Sequence, residues 1–421
     1  MKNKLLTLTL LLGIYSIKSP AQTDSIISKS QRWSYSVYGN LNYYKFNWDT
    51  WTDKRAAIDG ERFIIEGNYK WTPKISLNAE LEIEHGGVGT ELEFDKFEEF
   101  GEFEYEISKG GEIWMEEMNL SFNPTDRLEI QAGRIKVPFA LQYTLDEPTD
   151  FLTAMLPETE ATLLPTNWTE YGVSAQYTLG ELHRWKIHAA YINGLDGTAF
   201  SSANFIKRGN QRRFEQVNAE NWAFAGRIDY NWGYDCVAGV SFYRGDTRDN
   251  RPKPDFKKHA VVQLLDAHLG FKQKSLYVRA GVVYGTIQNS EALSEANRNL
   301  SNNLNVKRTP VGASALGYYG EVGYDFLSFI PYFQKQNKGA DFVVYGRYDF
   351  YDSMYSTQGQ IYNNPRWERS AVSGGIKCSV HRDIQLKLQY STREVGAAAA
   401  TTPDSGTTEE TIVAGVAFII N

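Results

Sequence analysis

Cysteine is almost absent from this chain: two residues in 421, Cys236 and Cys378. They lie far apart, each within an alternating apolar set, so both read as small apolar side chains and neither a disulfide framework nor a thiolate metal site is on offer. Proline is also sparse, with 13 residues, and leaves long stretches free to pair as strands. After the first 17 residues no apolar run approaches the roughly 20 residues of a membrane-crossing helix. A basic excess is lacking too. Lys and Arg number 44 against 51 Asp and Glu, a formal charge of −7 with no basic tract, which excludes nucleic acid as a partner. The six histidines (His85, His183, His188, His259, His268, His381) fall in no H-E-x-x-H pair. There is no G-x-S-x-G elbow and no glycine-rich phosphate loop. The expectation is no enzyme, no metal and no cofactor.

What is present begins with an export signal. Lys2 and Lys4 precede an apolar run from Leu5 to Ile17, and Ser19-Pro20-Ala21 offers a small-residue cleavage site; this is the anatomy of a secretory signal peptide. Residues 1–21 are read as that leader and 22–421 as one exported domain. Removing the leader leaves 41 basic against 51 acidic residues, a charge of −10. Tyr, Phe and Trp make up 14% of the chain and Gly contributes 35 residues, yet mean hydropathy is −0.44. An exported, aromatic, hydrophilic chain of this length suits a transmembrane β-barrel or a large secreted sandwich.

Alternation and turns separate the two. Ile75, Leu77, Ala79, Leu81 and Ile83 alternate with Ser76, Asn78, Glu80 and Glu82. Ile384, Leu386, Leu388 and Tyr390 alternate with Gln385, Lys387, Gln389 and Ser391. This two-residue period marks a wall with unlike faces. Tight turns at 71–74, 123–126, 179–182 and 232–235 interleave with long segments at 86–110, 135–165, 193–220, 245–258 and 287–312, the rim asymmetry of an outer-membrane barrel. Trp33, Tyr44, Trp71, Trp168, Trp185, Trp222, Trp232, Tyr284 and Trp367 crowd strand ends, where a bilayer interface favours them. The pattern predicts an all-β, transmembrane antiparallel barrel of about 16 strands in the outer membrane of a Gram-negative type cell, closed by Thr411–Asn421 with Ile412, Ala414, Val416, Phe418 and Ile420 facing lipid. Glu91–Glu106 is read as an acidic extracellular hairpin, with two further strand ends joined by a short loop as the alternative, and Asn289–Val306 as a mobile surface loop.

Function then rests on the lumen. With the apolar sets outward, early strands contribute Glu66, Glu80, Glu82, Glu117, Glu129 and Glu170, with Arg62, Arg127 and Lys186 among them. Later strands contribute Arg227, Arg279, Arg347, Arg369, Lys377, Lys387 and Arg393, with Asp229, Glu321, Asp325 and Asp349. Closure sets one wall against the other, and opposed charge would impose a transverse field; local pairing that merely keeps the lumen wet stays open as the alternative. The segment 135–165 is long, holds Pro138, Pro148, Pro157 and Pro165, and mixes Phe139, Leu141, Phe151, Leu152 and Met155 with carboxylates. It is expected to fold inward as a constriction, whose charged residues are Arg134, Lys136, Asp146, Glu147, Asp150, Glu158 and Glu160.

Gly133-Arg134-Ile135-Lys136-Val137-Pro138-Phe139, the Trp/Tyr-Gly-Val strand within 167–179, Gly317 to Asp325 (GYYGEVGYD) and Arg347-Tyr348-Asp349 together resemble the phosphate-selective porin O and P family. The resemblance covers most of the mature chain in order. It implies a sixteen-stranded barrel, commonly a homotrimer, with a loop after the fifth strand narrowing a pore for anions such as phosphate. The residues themselves place acid on that loop, which favours passive diffusion of small hydrophilic solutes or inorganic ions more generally. A plugged or adhesive barrel without transport is the alternative class, with a barrel hydrolase behind it.

Overall fold

The computed structural model describes residues 32–95, 104–145, 147–180, 184–211, 216–233, 235–298, 309–327, 340–396 and 407–421, giving the backbone alone at 88–95 and 104–112. The expected leader, residues 1–21, lies outside the described residues, as does Asp146. The strands are β1 (Trp33–Trp48), β2 (Ala57–Thr72), β3 (Ile75–Asp95), β4 (Glu104–Thr125), β5 (Leu128–Lys136), β6 (Thr169–Leu179), β7 (Trp185–Asn193) and β8 (Trp222–Gly233), followed by β9 (Cys236–Asp246), β10 (Val261–Gln273), β11 (Leu276–Ile287), β12 (Ser314–Asp325), β13 (Asp341–Ser356), β14 (Glu368–His381), β15 (Ile384–Val395) and β16 (Thr408–Ile420). Each pairs with its sequence neighbours, and β1 returns antiparallel onto β16 from Val37↔Ile420 to Trp48↔Glu409, closing a barrel of 16 strands.

The two-residue period becomes two environments. On β15, Ile384, Leu386, Leu388 and Tyr390 are exposed outward, whereas Gln385, Lys387, Gln389 and Ser391 are buried inward. The same division puts Phe63 and Ile65 outside with Ile64 inside, and Phe224 and Ile228 outside with Arg227 inside. A wall with apolar side chains outward and every ladder closed matches a bilayer, where no backbone group can be left to water. The protein is an outer-membrane β-barrel.

Rim asymmetry holds along the chain. Connections of a few residues join β2 to β3, β4 to β5, β10 to β11 and β14 to β15, while the opposite rim carries 137–168, 194–221, 247–260 and 288–313. Trp33, Trp71, Trp185 and Trp232 stand exposed at the tight-turn rim, with Trp33 against Tyr69 at 4.5 Å and Trp185 against Tyr230 at 4.8 Å. Trp222 stacks on Tyr191 at the other rim, 5.1 Å between centroids. Two of the expected girdle residues belong elsewhere: Tyr44 and Trp168 are buried inside. Trp168 packs on Phe139 and Tyr243 and donates its indole N–H to Glu170.

The acidic run 91–106 supplies the ends of β3 and β4, paired antiparallel down to Asp95↔Glu104, with 96–103 outside the described residues. The segment 289–306 contains a helix, α2 (Ser290–Arg298), whose Leu293 and Asn297 are buried; Asn297 donates to the Gly197 carbonyl at 3.0 Å. Over 289–298 the chain is a packed cap rather than an open loop, and 299–306 lie outside the described residues.

The barrel interior is not uniformly polar. Ala190, Ile192, Ala223, Ala225, Tyr243, Val262, Leu264, Val283 and Ala315 point inward near the long-loop rim of β7–β12 and form one buried cluster with Val137, Phe139, Leu163, Phe200, Phe205 and Ile206 from two loops. These strands are apolar on both faces there because loops fill the lumen beside them, and dense packing excludes water from that sector. Any aqueous path is displaced toward β14–β16 and β1–β4.

Candidate pore constriction

The connection between β5 and β6, residues 137–168, turns into the barrel. It carries a short 3-10 turn at Leu141–Tyr143 and a six-residue helix, α1 (Glu158–Leu163). Its start is set by Gly133, where φ is +134° and a Cβ would lie 2.4 Å from the Met118 carbonyl oxygen; only glycine lets β4 and β5 approach there. Beyond it Arg134 is buried, donating to Thr169 Oγ1 at 3.2 Å and stacking on Trp114 and Tyr171. Lys136 lies 3.6 Å from Glu117.

The wall then holds the loop at successive points. Ala140, at φ +57°, has its N–H accepted by Ser241 Oγ at 3.0 Å and its carbonyl bound by Arg227. A non-glycine residue in that region is strained, and two fixed partners keep it there. Arg227 is backed by Asp229 at 2.8 Å, and His268 bridges Asp229 and Asp266 at 3.0 and 2.6 Å. Arg279 reaches the Asp150 carbonyl, with Glu321 at 3.6 Å. Arg347 donates to Thr153 Oγ1 and the Met155 carbonyl at 3.0 and 2.9 Å, with Asp349 at 2.7 Å. Lys387 donates to three loop carbonyls, Pro148 at 2.6 Å, Phe151 at 2.7 Å and Thr153 at 3.0 Å. On either side of it Gln385 donates to the Thr149 carbonyl at 2.8 Å, and Gln389 accepts from the Ala154 N–H at 3.0 Å.

The loop carboxylates divide into two groups. Glu158 and Glu160, expected at the constriction, are buried against the wall. Glu158 accepts from Tyr351 at 3.0 Å and Arg393 at 3.2 Å; burial pushes its carboxyl up, but Arg393 and Arg347 outweigh it, and its pKa ends below the usual range. Glu160 accepts from Tyr319 at 2.9 Å and the Gln142 N–H at 3.1 Å. Burial first, then nearby Asp266, raises its pKa to about 7. Glu147 and Asp150 are half-buried on the loop tip.

The shift on Glu160 has a definite sign. Its folded pKa of about 7 lies above the ordinary 4.5, so between those values the folded state holds the extra proton. The stability it contributes is present below about pH 4.5 and is lost as pH rises through about 7. Thermal unfolding in detergent should therefore occur at a lower temperature at pH 8 than at pH 5, and Glu160→Gln should remove part of that difference. An identical pH dependence in wild type and variant would place the Glu160 carboxyl in water instead.

The remaining wall residues lie as follows. Lys377 pairs with Asp341 at 2.8 Å, Arg393 with Glu409 at 2.6 Å, and Arg369 lies over Trp367 at 5.4 Å. Glu80 accepts from the Tyr38 hydroxyl at 3.1 Å, Glu82 from Arg62 at 2.5 Å, and Glu129 from Gln131 at 3.3 Å. Between the loop tip and β1, β2, β15 and β16 lies a pocket lined by Asn40, Asn42, Glu61, Arg62, Phe151 and Met155 among others. Sequence reasoning missed Glu61, Gln385 and Gln389 as site residues. The two glutamines stood in a visible alternating polar row with Lys387, but nothing local shows that the row grips a segment more than 230 positions away.

A closed barrel with long loops at one rim and one loop folded to the wall is the architecture of an outer-membrane porin. Solved structures agree on that fold. Salmonella typhi OmpF, in complex with daunomycin, is 9% identical, with a TM-score of 0.53 covering 92% of this chain and 97% of that chain. An anion-selective porin from Comamonas acidovorans is 10% identical, with a TM-score of 0.52 covering 92% and 100%. The outer membrane channel DcaP of Acinetobacter baumannii is 11% identical, with a TM-score of 0.50 covering 93% and 99%. In sequence the chain is similar to an uncharacterized protein of Aquifex aeolicus (strain VF5), 27% identical over 361 residues, spanning 84% of this chain and 74% of that one. No family model matches.

Proposed function

We propose that the protein is a general diffusion porin, passing small hydrophilic solutes and inorganic ions through the eccentric gap beside its inward loop. The observation that carries this is the pocket between the loop tip and the wall of β1, β2, β15 and β16, inside a closed barrel of 16 strands. A barrel of that size leaves an aqueous channel unless something fills it, and among the described residues the large buried apolar filling lies beside β7–β12. Phosphate selection would need a cationic path along the opening. Arg227, Arg279, Arg347 and Lys387 instead spend their donors on loop carbonyls. A general pore therefore accounts for the site better than a phosphate-selective one. The homotrimer implied by the family resemblance is retained as part of the proposal, to be read from native mass in mild detergent.

Liposome swelling tests the pore reading without reference to charge. Purified protein in vesicles should admit a neutral pentose quickly and a neutral tetrasaccharide slowly or not at all. Failure to admit the pentose would sink the diffusion reading and favour the plugged or adhesive barrel.

A further inference from the structure

The lumen face of β1 changes character along its length. At two-residue steps from the tight-turn rim toward the long loops it presents Tyr38, Asn40, Asn42, Tyr44, Phe46 and Trp48. The β16 partners of four of these, Ala417, Val413, Thr411 and Glu409, are buried inside the barrel, which fixes the direction of the row.

The end nearer the long loops is aromatic. Tyr44 lies parallel to Phe46 with 5.8 Å between centroids, and Phe46 meets Trp48 edge-on at 5.3 Å. Trp48 donates its indole N–H to Thr411 Oγ1 at 3.0 Å. None of the three rings belongs to the apolar cluster that fills the lumen beside β7–β12, or to either smaller cluster. Phe46 and Trp48 are only half-buried. The rings are therefore a surface of the lumen and not part of its packing, and they have no lipid to reward them as the outward girdle has. Lys54 lies over Phe46 and Trp48 at 4.6 and 3.8 Å, and the Arg393 guanidinium lies 5.0 Å from Trp48. Such contacts are weak at a wet surface, and they set hydrogen-bond donors beside the rings.

The row then turns polar. Asn42 donates to the Tyr44 hydroxyl at 3.2 Å, and Asn40 donates to Glu61 at 2.5 Å. One extra residue in β2, opposite Asn40 and Asn42, lets Glu61 and Arg62 both line the lumen although they are neighbours in sequence. Asn40 Oδ1 is enclosed and accepts from no protein donor. Asn40, Asn42, Glu61 and Arg62 face Phe151 and Met155 of the loop tip across the pocket. Both charge signs are present there, with amide donors and acceptors between them.

We infer that the lumen face of β1 is a track for neutral saccharides, taking the sugar ring on Tyr44, Phe46 and Trp48 and its hydroxyls on Asn40, Asn42 and Glu61. This rests on the pore reading above and adds the solute class. A pyranose has apolar C–H faces and a rim of hydroxyls. The faces lie against aromatic rings, while the rim exchanges hydrogen bonds with carboxylates and with amides, which both donate and accept. Aromatic surface with a few convergent polar groups is what orients a small ligand. Successive positions on the row are roughly 7 Å apart along the strand, so a short oligosaccharide touches rings and amides together. A hydroxyl proton also satisfies Asn40 Oδ1, which the protein leaves unmatched.

Current block in planar bilayers tests this on the full mature chain, with maltotriose added in KCl at the long-loop side. Wild type should show brief closures, with half-block at a concentration on the order of 10 mM. Trp48→Ala and Phe46→Ala should each raise that concentration about ten-fold, the loss expected for one stacking contact, while the open step in plain KCl stays the same. Trp48→Phe should keep most of the block, and Asn40→Ala should shorten each closure. Phe46→Ala carries the test if Trp48→Ala does not assemble. A wild type that admits the pentose but shows no closures, or closures that the ring variants leave unchanged, would overturn the track and leave the pore standing. No conductance together with no pentose entry would instead remove the pore reading and this inference with it.

Discussion

Lys387→Met should widen the pore. The Lys387 ammonium is buried and binds three carbonyls of the loop within 3.0 Å, at Pro148, Phe151 and Thr153. Methionine keeps the length and apolar stem but has no donor, so three carbonyls lose a charge-assisted partner. Hydrogen bonds to a charged group are worth about 1.5–3 kcal/mol each, and a buried acceptor left alone costs about 1–3 kcal/mol. Even after rearrangement, docking of 148–155 should weaken by about 3 kcal/mol or more. The tip would then rest on Gln385, Gln389, Arg279 and Arg347. Single-channel records should show larger and noisier open steps, with the barrel itself still folded by its shifted mobility in unheated gels. Unchanged step size would mean that the loop tip does not bound the narrowest point. Alternation shows Lys387 only as an inward residue of the wall; the structure makes it a fastening of the loop at three carbonyls.

The second large effect concerns lipid. Leu388 faces outward in the middle of β15, and Leu388→Arg should cost about 2–4 kcal/mol of barrel stability, as expected for a cation near the bilayer midplane. Ile384 lies on the same face four residues nearer the tight-turn rim, roughly 13 Å away along the strand. Ile384→Arg should cost only about 0–1 kcal/mol because its guanidinium reaches the headgroups. Urea titrations of the two variants in lipid vesicles measure the difference. Equal costs would show that the apolar belt is not centred where β15 places it.

The pH response of Glu160 is a smaller effect with a separate readout. It depends on the loop turning Glu158 and Glu160 against the wall, and so tests the same arrangement as Lys387→Met.

What the sequence determined by itself was the wall. Alternation at Ile75–Ile83 and Ile384–Tyr390, tight turns such as 71–74, and long segments between them are local signals. A strand's two faces and a turn's geometry depend on neighbours within a few positions. Strand number, closure through Thr411–Asn421, the outward apolar face and an inward loop near 135–165 all followed. The tertiary structure alone decided which inward charges meet water. Lys387 touches Pro148, Arg347 touches Met155 and Arg393 touches Glu158, contacts spanning 239, 192 and 235 positions. An alternating pattern says only that a side chain points inward, and it carries no information about what arrives from the far side of the barrel. The apolar filling of β7–β12 and the inward burial of Trp168 escaped for the same reason. A strand apolar on both faces reads locally as a strand, and only the packed loops explain its second apolar face. Charge type was legible residue by residue, but charge balance in the open path is a property of the closed barrel with its loop in place.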